Sequence, residues 1–172
     1  DEESIAKTLK EEYFDIFFVN IRSFYKHVKD LKNDFYAQQS NCLCLVETWI
    51  GLQDEIVHDF DEKTVFQAPG GKGKGCCAFV PKDVKATKSI SKDKFQLVSF
   101  IYKQNIQVIV MYLSHGSASD LQIVKRSIQE TLIPSYQYIV IGDFNRDVED
   151  VSRVLKDYSL VQLVQQPTHH EG

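Results

Sequence analysis

Apolar positions along this chain fall into short runs that stop abruptly at polar side chains. Phe14-Asp15-Ile16-Phe17-Phe18-Val19 is nearly continuous, too short for a helix and rich in aromatic and β-branched residues. It predicts a central strand ending at Asn20 and Arg22. Cys42-Leu43-Cys44-Leu45-Val46 repeats the pattern and ends at Glu47, Thr48 and Trp49. Residues 95–102 and 106–112 form two runs around Lys103-Gln104-Asn105, a hairpin by length and composition; the second ends at Tyr112, with Ser114 and His115 beyond. Tyr138-Ile139-Val140-Ile141 reads as a buried strand that, past Gly142, delivers Asp143 and Asn145 to a cleft.

Helical spacing separates these runs. Phe24, Val28, Leu31 and Phe35 share one face behind Ser23 as a cap, which leaves Lys26, Lys29 and Lys32 toward solvent. Leu121, Val124, Ile128 and Leu132 repeat the spacing behind Ser117 or Ser119, up to the stop at Pro134. A short helix is suggested by Val151, Val154, Leu155 and Tyr158, and one more strand at 160–164. Residues 51–69 read as a loop with strand pieces at 56–60 and 64–66. Strands outnumber helices and the helices are interspersed, which predicts an α/β (α+β) chain of two sheets flanked by helices on their outer faces.

Composition narrows the function classes. At 172 residues and 43% hydrophobic the chain can build one substantial core and not two comfortable ones. We expect a charged arm over 1–13 and one domain over 14–172. No apolar run approaches a membrane span, and Asp1-Glu2-Glu3 is the opposite of a signal peptide's basic start. The expectation is an intracellular protein, nuclear or cytoplasmic, with no membrane partner. A net charge of -4 excludes a global basic excess, so nucleic-acid binding would need a local patch. Cys42 and Cys44 share a strand face while Cys76 and Cys77 oppose each other, awkward for zinc and natural for buried thiols in a reducing compartment. The segment Gly70-Gly71-Lys72-Gly73-Lys74-Gly75 lacks the Walker spacing. It is either a flexible hairpin tip or a cationic loop that touches a phosphate backbone.

Four strands thus end in residues that carry chemistry: Asn20, Glu47, Tyr112, and Asp143 with Asn145. Each alone reads equally as an Asx turn or a loop start. Converged at one edge, they offer a carboxylate for a hard divalent cation, a second carboxylate to orient water, and amide and phenol groups for an oxyanion. Phosphoester hydrolysis needs those parts.

The series Val19-Asn20-Ile21-Arg22-Ser23, Leu45-Val46-Glu47-Thr48-Trp49, residues 75–80 and Ile141-Gly142-Asp143-Phe144-Asn145 resembles the endonuclease, exonuclease and phosphatase superfamily. Within it the chain is most similar to endonuclease domains of transposable elements, of the non-LTR retrotransposon or Helitron type; Gln166-Pro167-Thr168-His169 resembles them too. The resemblance implies a four-layer α-β-β-α sandwich and a DNA-nicking nuclease that uses magnesium, with manganese as the alternative. It further implies that Asn20 helps hold the site and the phosphate, Glu47 is the metal-ligand carboxylate and Tyr112 contacts the scissile phosphate. Asp143 would orient or deprotonate the attacking water, and Asn145 would fix that geometry. Arg22, Lys72, Lys74, His115 and His169 are the expected DNA contacts.

Two departures from the pattern matter. After Tyr112 stands Leu113-Ser114-His115 where many relatives have an Arg-Pro or Ala-Pro step. The superfamily also ends with a strand carrying an Asp-His pair, and this sequence stops at Gly172, short of it. A weak or inactive enzyme is therefore expected, with a sheet edge that another chain or a C-terminal segment would complete. Two alternatives stand beside the nuclease: an exapted binding or structural module without chemistry, and a phosphatase acting on a small or lipid phosphoester.

Overall fold

A computed structural model describes residues 14–56, 60, 62–115, 120–161 and 163. The elements are β1 (Ile16–Asn20), α1 (Phe24–Asn33), α2 (Phe35–Gln39), β2 (Cys42–Val46), β3 (Lys63–Ala68), β4 (Cys76–Pro81), β5 (Lys85–Lys92), β6 (Phe95–Tyr102), β7 (Ile106–Leu113), α3 (Asp120–Gln129), β8 (Gln137–Asp143) and α4 (Val148–Leu155), which runs into a 3-10 turn at Lys156–Tyr158.

The strands make two four-stranded mixed sheets. The first has the order β1-β2-β4-β3 and the second β5-β6-β7-β8. Alternation along each strand sends one set of side chains between the sheets and the other set outward. Cys42, Cys44, Val46, Cys76 and Val80 meet Val98, Phe100, Val108 and Val110 in the interior. Leu43, Leu45 and Phe79 pack outward with Phe24 and Leu31 of α1, while Leu97, Ile109 and Met111 pack with Leu121, Val124 and Ile128 of α3 and with Val151 and Leu155 of α4. Two sheets flanked by helices give the expected α-β-β-α sandwich.

Several local expectations are corrected. The run at 14–19 was expected to be a central strand, and the strand of Asp143 a buried one; β1 and β8 are instead terminal strands of their sheets and every apolar residue in both is part-exposed. Their faces are covered by the facing sheet and by outer helices, which accounts for the continuous apolar pattern, but each has a strand on one side alone among the described residues. Phe35 does not continue the face of α1. Asp34 is extended and its carboxylate accepts the Ala37 N–H at 2.9 Å, so α2 starts in a new direction and leaves Phe35 70% exposed. Ser23 precedes α1 without a side-chain cap. The helix α3 ends at Gln129, before Leu132. Leu160, Val161 and Leu163 are not in a strand. The arm at 1–13, Ser117, Ser119, His169 and the Pro167-Thr168 element lie outside the described residues.

Candidate active site

Parallel pairing brings the polar strand ends together. β1 runs parallel to β2 with Asn20 opposite Val46, so Glu47 lies one residue beyond the last rung; β7 runs parallel to β8 with Tyr112 opposite Asp143. One side chain at these strand ends bridges the two sheets. The Asn20 amide donates to Glu47 Oε1 at 2.8 Å and to Asp143 Oδ2 at 3.1 Å. Its two protons thus link carboxylates from both sheets. Asp143 Oδ1 accepts the Asn145 N–H at 3.0 Å, and Asn145 Nδ2 donates to the Leu113 carbonyl at 2.9 Å. Asp143 is therefore in an Asx turn and in the constellation at once, one oxygen in each.

The backbone at these ends is strained. Arg22, Glu47, Trp49 and Asn145 have φ of 47°, 52°, 59° and 46°, left-handed conformations that cost on the order of 1–3 kcal/mol each in non-glycine residues and gather at functional sites. Backbone bonds hold the strain in place: Ser23 N–H to Glu47 O at 2.9 Å, Phe24 N–H to Thr48 O at 2.8 Å and Trp49 N–H to Lys74 O at 2.9 Å. Gly142 is needed for sheet contact here, because a Cβ would lie 2.2 Å from the Met111 carbonyl oxygen.

The 70–75 loop, the tip of the β3–β4 hairpin, is latched rather than free. Tyr112 donates its hydroxyl proton to Gly73 O at 2.8 Å, and Gln96 Oε1 accepts the Gly75 N–H at 3.2 Å. Gly75 has φ 98°, and a Cβ there would sit 2.5 Å from Thr48 Oγ1. Lys74 Nζ lies 2.6 Å from Asp93 Oδ1, and this contact lowers the Asp93 pKa below the ordinary carboxylate range. Lys72 stays exposed at the tip. Arg22 is exposed at the mouth of a cleft of about 400 Å³ beside β1, floored by Phe17, Val19 and Leu31. His115 is exposed just past β7.

Electrostatics keep Tyr112 a phenol. Burial first, then the Glu47 and Asp143 carboxylates, push its pKa up to about 12, against a smaller opposing contribution from Asn145. It can donate a hydrogen bond across the physiological range. The four thiols are unpaired and buried; burial pushes Cys42 up to about 12 and raises the other three as well, so none is a thiolate nucleophile.

Among the described residues there is no group of three or more His, Cys, Asp or Glu side chains that could cage a metal ion. The donor set nevertheless fits magnesium, which is held by one or two carboxylates and keeps several waters; Glu47 and Asp143, linked through one amide, supply two hard carboxylates. The five residues expected from the sequence are all at this end of the sandwich. Sequence reasoning missed Gln96, fully buried behind the loop, and the pair of Asp120 with Arg146, whose nitrogen Nη2 lies 3.7 Å from Asp120 Oδ2. Trp49 Nε1 is buried without a hydrogen-bond partner among the described residues.

No family model and no curated protein matches the sequence. Solved structures do. The chain is similar to an AP endonuclease from Archaeoglobus fulgidus (TM-score 0.61, 17% identity, covering 84% of this chain and 69% of that one). It is also similar to the endonuclease domain of TRAS1, a telomere-specific non-LTR retrotransposon (0.57, 14%, 84% and 71%). A third is TDP2 of D. rerio complexed with single strand DNA product (0.56, 13%, 82% and 64%). The chain thus spans 64% to 71% of the length of these three structures. With two mixed sheets between helices and this set of neighbours, the chain has the endonuclease/exonuclease/phosphatase fold.

Proposed function

We propose that this chain is a divalent-metal-dependent phosphodiester hydrolase acting on DNA, of transposable-element origin. One observation carries the reading: the Asn20 amide gathers the Glu47 and Asp143 carboxylates at the junction of the two sheets. Glu47, with Asp143 beside it, would hold magnesium or manganese, and the bound ion supplies charge neutralisation at the phosphate. Asp143 would take the proton of the attacking water as the water oxygen bonds to phosphorus; the ester P–O bond breaks with its electron pair on the leaving oxygen, whose negative charge the bound ion would offset until it takes a proton from solvent. Asn145 sets the rotation of that carboxylate through its N–H. Asn20 keeps the two carboxylates in register, and Tyr112, neutral, offers a proton to a phosphate oxygen on release from Gly73. Arg22, Lys72 and His115, all exposed, would contact the DNA backbone, with Lys74 once it leaves Asp93. The neighbour with bound single strand DNA product supports DNA as the substrate class. Unpaired cysteines fit a nuclear or cytoplasmic setting.

Supercoiled plasmid nicking with magnesium tests the reading. Glu47→Gln and Asp143→Asn should each lower the rate by about two to three orders of magnitude; nicking unchanged by both would end it. A binding module without chemistry is the second reading, motivated by the net charge of -4, which supplies no global attraction to a phosphate backbone. Turnover by the 172-residue chain that Asp143→Ala abolishes would eliminate that second reading. We further propose that the open edge of β1 takes a strand from another chain or from a C-terminal segment.

A further inference from the structure

We propose that the Asp120–Arg146 ion pair is a positioning element for Asp143, acting through the left-handed backbone of Asn145; the proposal rests on the hydrolase reading of Asp143. Arg146 Nη1 donates to the Asn145 carbonyl at 3.0 Å, and Nη2 of the same guanidinium lies 3.7 Å from Asp120 Oδ2. Both side chains are withdrawn from solvent, at 13% and 8% exposure. Lys94 Nζ approaches the same oxygen, Asp120 Oδ2, at 3.7 Å.

Asn145 is held from several directions. Its side chain is fixed to Leu113 O, its carbonyl to Arg146, and its N–H reaches Asp143 Oδ1. With φ at 46°, this peptide sits in a conformation that neighbouring groups must enforce. The carbonyl and the N–H belong to the two peptides flanking Asn145 and are coupled through its φ and ψ; rotation about those bonds, once Arg146 no longer holds the carbonyl, would carry the N–H off Oδ1 and leave the Asp143 carboxylate to turn, which changes where Oδ2 stands relative to Asn20. Guanidinium geometry suits the task, since one planar fork reaches a carbonyl and a carboxylate at once and an ammonium does not. A buried ion pair contributes weakly to net stability compared with apolar packing of the same volume, so its use at this place points to geometry.

Asp120 also opens α3, where a carboxylate favours the helix dipole; a test must separate positioning from that structural contribution. We would measure amide exchange at Asn145 and Mn²⁺ affinity in the 172-residue chain and its Asp120→Asn, Arg146→Gln and Arg146→Lys variants. Expected are exchange at Asn145 and Mn²⁺ dissociation constants each raised about tenfold in Asp120→Asn and Arg146→Gln, with the β7 amides of Val110 and Met111 unchanged. Arg146→Lys should fail to restore either. Unchanged exchange at Asn145 in the variants would overturn the proposal, and so would loss of protection spread equally over β7. If Asp120→Asn does not fold, the two Arg146 variants decide alone. Plasmid nicking is the control for the hydrolase reading: nicking unchanged by Asp143→Asn removes that reading, while the Asn145 exchange still decides the positioning claim.

Discussion

Tyr112 illustrates how one residue can serve the fold and the chemistry. Its ring lies in the sandwich interior, 4% exposed, and its hydroxyl donates to a loop carbonyl. Tyr112→Phe should leave the Gly73 carbonyl without that donor and cost about 1 kcal/mol, a typical net hydrogen-bond contribution. Urea denaturation checks this; a midpoint equal to that of the parent chain would mean the latch contributes nothing. At this scale the sequence was informative about which side chains end strands and uninformative about what they touch. Asn20 and Asp143 are 123 positions apart, and no local pattern encodes a bond between them. Nothing in the sequence pattern singles out Asp120 and Arg146, because periodicity reports a residue's place on its own element and not the charge on a neighbouring one.

Among elements, hydropathy proved a record of faces. β1 and β8 are apolar on both faces because a sheet lies on one side and helices on the other, and the same pattern is silent about lateral neighbours; hence one terminal strand looked central and the other buried. The opposite error hid β5, whose residues Lys85, Ala86, Thr87, Ser89, Ser91 and Lys92 are all exposed, so it carried no apolar signal although it pairs with β6 along its length. Polar and lysine-rich, β5 is a guarded edge; β1, with Ile16, Phe17, Phe18 and Val19, is not. The β1 amides that point away from β2 should therefore gain protection with rising protein concentration, and sedimentation should show association that Phe17→Lys weakens. A chain that stays monomeric at high concentration, with those amides fully exchanging, would rule out pairing by a second copy and by its own C-terminal residues.

For the whole molecule, the buried acids with raised pKa values set a pH window. Cys42 and Tyr112 rise to about 12, and Cys44, Cys76, Cys77 and Tyr102 rise as well, all chiefly through burial. Unfolded thiols and phenols release protons from about pH 9 upward, before the folded ones do, so the folded state binds more protons there. Stability should be complete below about pH 9 and fall steadily toward pH 12. Lys63, whose pKa burial lowers, works the other way and is outnumbered. Urea midpoints measured from pH 7 to 11 check the sign, and a midpoint that rises over the last two units would contradict it.

The two sheets are also successive in the chain: everything up to Pro81 builds the first and everything from Lys85 builds the second. During synthesis the four strands of the first sheet can therefore leave the ribosome while Asp143 has yet to be translated. A nascent chain would display Asn20 and Glu47 without their partner across the seam. On the proposed reading, an enzyme that cuts nucleic acid is made beside a large body of RNA with its centre divided between two halves, and it becomes competent only when the second half has emerged and docked.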